Sequence, residues 1–140
     1  MVTRLSHTSL FVNDQDKAYD FYVKKLGFNV HTDAKMDNGF RWLTVTAPQA
    51  PDHEIVLFPA NTEMNGFDQE VRDALKVLLD KGVMGAGVLE TNDCRATYEE
   101  LKAKGVQFTQ EPDKQPWGTF ATIVDPDDNK LLLVETPKKS

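Results

Sequence analysis

The chain has 140 residues, which suits one compact domain that buries about two-thirds of its unfolded surface. Sixteen Lys and Arg against twenty-two Asp and Glu leave a net charge of −6, which disfavours non-specific binding to phosphate backbones or anionic lipid. The opening MVTRLSHTSLFVND lacks the apolar stretch and cleavage site of a secretory signal, no run approaches the roughly 20 apolar residues of a membrane span, and Cys94 stands alone, so the expectation is a cytosolic protein without internal disulfide, nucleic-acid partner or membrane partner.

Leu5 to Val12 is the first strand candidate, a short apolar-rich run bounded by polar residues. Behind it, Asn13 and Asp14 are capping candidates for DQDKAYDFYVKKL, in which Ala18, Phe21, Tyr22 and Leu26 fall at helical spacing before Gly27. Strands are expected at about 28 to 35, 40 to 46 and 53 to 58, with the MDNG sequence before Phe40 supplying the residues of a tight reversal. The stretch DQEVRDALKVLLDKG then places Val71, Leu75, Leu78 and Leu79 on one helical face, a linker helix able to cover an edge or cap a cavity.

The same order returns near residue 83. Val83 to Thr91 reads as a strand, and NDCRATYEELKAKG repeats the helix, with Ala96, Tyr98 and Leu101 before the stop glycine Gly105. Asn13-Asp14 corresponds to Asn92-Asp93 and Gly27-Phe28 to Gly105-Val106, a period of about eighty residues. Further strands are expected at 106 to 110, 119 to 124 and 130 to 135, the last two joined by the turn DPDDN. The prediction is an α+β fold made of two tandem βαβββ modules in a single domain, 1–140: module 1 at about 1–60, a linker helix at about 61–82 and module 2 at about 83–140.

The residues HTSLFVNDQDKAYDFYVKKLGF, TNDCRATYEELKAKGVQF and PWGTFATIVDPDDN together resemble the vicinal oxygen chelate superfamily, which includes glyoxalases, extradiol dioxygenases and the bleomycin and fosfomycin resistance proteins. The resemblance covers nearly the whole chain. It implies strands that curl into an open cup, a divalent metal or a small-molecule ligand inside, and a homodimer. It also implies four metal-ligand positions, on the first and last strands of each module. His7 matches the first and Glu54 the second, but Ala86 stands at the third and Leu132 at the fourth, where catalytic members carry a glutamate. Glu135 lies an odd number of residues from Leu132, so an unbroken strand turns it to the other face.

One imidazole and one carboxylate are too few for Zn, Ni, Mn or Fe, which want three or more protein ligands around an open position. No cofactor is therefore expected, unless another chain completes the site, with His31 or His53 as spare donors. His7 shares a strand face with Ser9 and Phe11 and reads either as a pocket or metal residue or as a hydrogen-bonded structural histidine. Glu54 falls on the face of Val56 and Phe58, and its alternatives are a functional role, a cation partner such as Arg41, or exposure at a strand start. Trp42 and Thr44 alternate with Leu43 and Val45, and Trp42 is expected to face the cup. Phe11, Trp42, Thr44, Val56, Phe58 and Phe120 are thus the candidate ligand-binding set, each also explicable as core, as is Trp117. Cys94 begins the second helix, where the positive helix end and Arg95 act to lower a thiol pKa, but no histidine lies near in sequence as a base.

Three functions follow. The leading one is a metal-independent protein of the resistance type that binds a small apolar or aromatic molecule. The second is a divalent-metal-dependent lyase, isomerase or dioxygenase whose site is completed across a dimer. The third is an interaction module that docks a partner on the linker helix.

Overall fold

Two aspartates start the two module helices in the same way. Asp14 accepts hydrogen bonds from the backbone N–H of Asp16 and Lys17, and Asp93 accepts one from Ala96, so each side chain satisfies amides that the first helical turn leaves open. Both helices also end alike: Gly27 and Gly105 take left-handed backbone angles, φ 81° and 86°, which let Phe28 and Val106 donate back to Tyr22 and Leu101. A computed structural model describes residues 1–136 and, within them, every side chain except those of Asn65 and Ala86.

The chain divides into two units, Met1–Val77 and Leu78 onward. In the first, β1 (His7–Val12) leads to α1 (Gln15–Tyr19), which widens into a π-helical stretch (Asp20–Lys25), and then to β2 (Asn29–Lys35), β3 (Arg41–Ala47) and β4 (Ala50–Pro59). The sheet order is β1-β4-β3-β2, with β1 and β4 parallel and the other neighbours antiparallel. The second unit repeats this with β5 (Gly85–Glu90), α3 (Cys94–Ala103), β6 (Gln107–Gln115), β7 (Gly118–Val124) and β8 (Lys130–Glu135), in the order β5-β8-β7-β6. Each sheet is open, mixed and four-stranded, so the fold is α+β and βαβββ occurs twice.

Alternation along the strands sorts side chains onto two faces. In the first unit Leu10, Val12, Leu43, Val45 and Leu57 are buried together with Ala18, Phe21 and Tyr22 of the helix. In the second, Ala121, Ile123, Leu131 and Leu133 are buried with Tyr98 and Leu101. The opposite face of each sheet is left for other work.

Two local expectations are revised, and a third, the DPDDN turn, is met. β6 runs to Gln115, not 110, because two register shifts, at Phe108/Gln110 and Gln110/Asp113, carry it past Pro112 on a sheet edge, where a missing N–H is tolerated. The linker helix, α2 (Gln69–Asp80), buries Leu79, but Val71 and Leu78 are exposed and Leu75 only half-buried, so its four apolar residues do not share one covered face. DPDDN forms a turn in which the Asp125 carboxylate accepts from the backbone N–H of Asp127 and Asn129 and from the Asn129 side chain.

Candidate functional site

The parallel pairing of β1 with β4 sets His7 opposite Glu54, Ser9 opposite Val56 and Phe11 opposite Phe58. His7 and Glu54 therefore meet directly: Nε2 of His7 lies 2.7 Å from Oε2 of Glu54. Thr44 on β3, fully buried, donates from Oγ1 to Oε1 of Glu54 at 2.8 Å. The third partner is His31, whose Nδ1 lies 2.8 Å from the same Oε1. His31 reaches it because β2 carries a bulge there: Val30 pairs with Val45 and Thr32 with Thr44, leaving His31 as the extra residue beside Thr44.

An ionised carboxylate is an acceptor only, so both imidazole nitrogens that face Glu54 carry protons. In the neutral ring this leaves Nδ1 of His7 as an acceptor, and the Ser6 hydroxyl lies 2.7 Å from it. Thr32 Oγ1 adds a second contact to Nδ1 of His31 at 3.0 Å. His53, the other spare donor of the sequence, is turned away, with Nε2 3.0 Å from Thr8 Oγ1. Arg41, one alternative partner for Glu54, is committed elsewhere: it pairs with Asp33 through Nε and Nη2 and with Asp16 through Nη1. The fork geometry with two carboxylates raises the guanidinium pKa further, and the Arg41 hydrogen bond holds Asp33 below its usual value.

Aromatic rings continue this face. Trp42 stands 6.4 Å from the His7 ring and 6.5 Å from Phe40, and Phe40 stands 5.5 Å from Phe58. Phe58 also meets Phe11 edge-on at 5.7 Å, and Phe67 lies against both. Of the candidate ligand-binding residues, Thr44, Val56 and Phe58 are buried and form a backing layer, while Phe11 and Trp42 are half-buried and offer surface. Phe40 and Phe67 were not among the sequence candidates.

The corresponding face of the second unit is hydrocarbon. Val88 pairs with Leu132, which pairs with Thr122, and Phe120 stacks on Trp117 at 5.5 Å. Val88, Leu132 and Trp117 are exposed. Glu135 points to the other side, as its spacing from Leu132 requires, and accepts from the Cys94 backbone N–H at 2.8 Å. Cys94 is fully buried, and burial, reinforced by the Glu135 charge, pushes its thiol pKa up. The lowering expected from the helix end and Arg95 is outweighed.

The sequence model described as Glyoxalase/Bleomycin resistance protein/Dioxygenase superfamily matches residues 4–133. The chain belongs to this superfamily. Among solved structures, UcmS2 is 42% identical, with 97% of this chain and 100% of that chain covered and a TM-score of 0.88. TnmS3, an antibiotic binding protein from Streptomyces sp. CB03234, is 29% identical, with 97% and 98% covered and a TM-score of 0.74. A probable lactoylglutathione lyase of Synechocystis sp. (strain ATCC 27184 / PCC 6803 / Kazusa) is 27% identical, covering 96% of this chain and 97% of that protein.

Members of the superfamily often use a divalent metal. Here, among the described residues, no group of three His, Cys, Asp or Glu side chains is placed to hold one. Nε2 of His7 and Nδ1 of His31 both lie against the Glu54 carboxylate, and Leu132 offers only hydrocarbon at the fourth position. This donor set does not fit a divalent ion. No helix among the described residues is long and apolar enough to cross a membrane.

Proposed function

We propose that the protein binds a small apolar or aromatic molecule without turning it over, as a homodimer, on the face that carries Phe11, Trp42 and the His7–Glu54–His31 cluster. The observation that carries this reading is the partly exposed aromatic surface around Trp42, set beside one polar cluster whose groups satisfy each other. Rigid aromatic walls with a few fixed polar groups are what an apolar ligand site is made of. The likeness to TnmS3, an antibiotic binding protein, supports the same class of function. Thr44, Val56 and Phe58 hold the wall in place, and Phe120 with Trp117 adds an aromatic surface on the second unit. The exposed Val88, Leu132 and Trp117 support self-association, because an apolar patch of this kind is a common subunit contact.

A ligand-stabilisation screen of aromatic compounds, combined with elemental analysis of the dialysed protein offered Zn, Ni, Mn and Fe(II), tests the proposal. A ligand present at about 100 times its Kd adds about 2.7 kcal/mol to the native state, a readily measured rise in Tm. Binding with no retained metal is the expected outcome.

A second reading, a metal-dependent lyase, isomerase or dioxygenase with donors from another chain, has one observation in its favour: His7 and Glu54 fill two family ligand positions in a chain similar to a probable lactoylglutathione lyase. Near-stoichiometric metal that is lost in His7→Ala would replace the binding proposal with this one.

A further inference from the structure

The aromatic face of the first unit stands on two strands whose pairing stops beneath it. β3 and β4 pair from Ala47 opposite Ala50 to Thr44 opposite Val56, yet β3 begins at Arg41 and β4 runs on to Pro59. Trp42 and Phe58 lie in those last, unregistered residues, and the ring of Phe40 fits between them, 6.5 Å from Trp42 and 5.5 Å from Phe58. One side chain bridges the fork. Nε2 of Gln15, the first residue of α1, donates to the Arg41 carbonyl at 3.1 Å and to the Leu57 carbonyl at 3.0 Å. A carbonyl only accepts, so two such partners fix which end of the amide faces the fork and engage both of its N–H donors. Gln15 is half-buried, and the Asp14 cap settles the start of its helix. The neighbouring Asp16 also reaches β3, through its ion pair with Arg41, but its carboxylate is 88% exposed and adds little.

We propose that Gln15 is a positioning residue for the ligand face: by joining the main chains of β3 and β4 where their ladder ends, its amide fixes the spread of the fork and with it the spacing of Phe40, Trp42 and Phe58. The inference rests on the ligand-binding function proposed above and adds a residue that acts on that face without belonging to it. The leverage comes from the planar peptide. The Arg41 carbonyl lies in the rigid unit that ends at Cα of Trp42, and the Leu57 carbonyl in the unit that ends at Cα of Phe58. Gln15 thus holds the two peptide planes from which the aromatic walls rise. Without these bonds the walls are free to shift, and a ligand has to order them as it binds.

The two indole N–H resonances of the full chain, together with a titration by 2-naphthol as a neutral bicyclic probe, test this in three variants. Gln15→Met keeps the length of the side chain without a donor, Gln15→Asn draws the amide back by one methylene, and Gln15→Lys restores donors through an ammonium. In Gln15→Met the Trp42 resonance is expected to move while that of Trp117, in the second unit, stays, and 2-naphthol is expected to bind about fivefold more weakly, the cost of ordering roughly one side chain. Gln15→Asn should show the same changes to a smaller degree, and it carries the test if Gln15→Met does not fold. Gln15→Lys should return both readouts towards those of the native protein, which a loss of shape alone would not allow. An unmoved Trp42 resonance in Gln15→Met and Gln15→Asn, an affinity equal to that of the native protein, or no rescue by Gln15→Lys would overturn the brace and leave the binding function standing. A native protein that binds neither 2-naphthol nor any aromatic compound of the stabilisation screen would count against the binding function, and the Trp42 resonance would then decide the brace by itself.

Discussion

Glu54 is the residue on which the polar cluster turns. Its carboxylate accepts from two imidazoles and from Thr44, which is fully buried and has no water to turn to. Glu54→Ala should therefore cost about 1–3 kcal/mol in urea unfolding, mostly through the stranded threonine hydroxyl. A loss below about 0.5 kcal/mol would mean that the cluster stabilises nothing. Cys94 gives a second residue-scale expectation, with its sign fixed by burial. Its native pKa is raised above the unfolded value near 8.5, so its contribution to stability is fully present below that pH and is lost as pH rises through the native value. The stability of the native protein should fall more steeply than that of Cys94→Ala as pH rises above about 8.5, and iodoacetamide should label the thiol only as fast as the protein opens. Rapid labelling of the folded protein at pH 7.5 would contradict the burial. At this scale the family resemblance singled out His7 and Glu54 as two ligand positions, and their direct contact is a feature of the structure. His31 was named only as a spare donor for a site shared with another chain, because strict alternation says nothing of the bulge that brings it to Glu54, and the Arg41 alternative for Glu54 gives way to Asp16 and Asp33, which come from two other elements.

The elements follow local chemistry closely, which is why the repeat was legible. Each module helix begins at an aspartate that caps its first turn and ends at a glycine with positive φ, and these signals depend on neighbours in sequence alone. Asp14→Ala and Asp93→Ala should each cost about 1 kcal/mol of unfolding free energy, as the loss of a cap does. Gly118 marks the opposite situation, where an element depends on a distant one. It has φ 146°, and a Cβ placed there would come 2.4 Å from the Glu135 carbonyl oxygen at the end of β8. Gly118→Ala should be more destabilising than either cap variant, by differential scanning calorimetry on matched samples. Equal or smaller effects would show that β8 can shift to make room. Nothing in the local sequence distinguishes such a glycine from one in an ordinary turn. The extent of β6 was hidden for the same kind of reason: Pro112 reads as a stop, and only the edge position of the strand makes it harmless.

At the scale of the whole molecule the two units share an architecture but not a chemistry. Behind each sheet lies a buried apolar face under a helix, as the internal repeat predicts. In front, the first unit carries His7, His31, Glu54 and a cluster of aromatic rings, whereas the second carries Val88, Leu132, Thr122 and Phe120 with Trp117. The loss of donors at the third and fourth family positions was visible from residue identity alone. The placement of His31 beside Glu54 and the gain of Phe40 and Phe67 were not, because they depend on a bulge and on a turn of chain after β4. This asymmetry makes a prediction that the two tryptophans of the chain can read separately. Each gives one indole N–H resonance, assignable by Trp42→Phe and Trp117→Phe. Titration with an aromatic ligand found in the stabilisation screen should shift the Trp42 signal saturably and leave the Trp117 signal nearly still. A response confined to Trp117 would move the ligand to the hydrocarbon face around Phe120 and remove the polar cluster from binding.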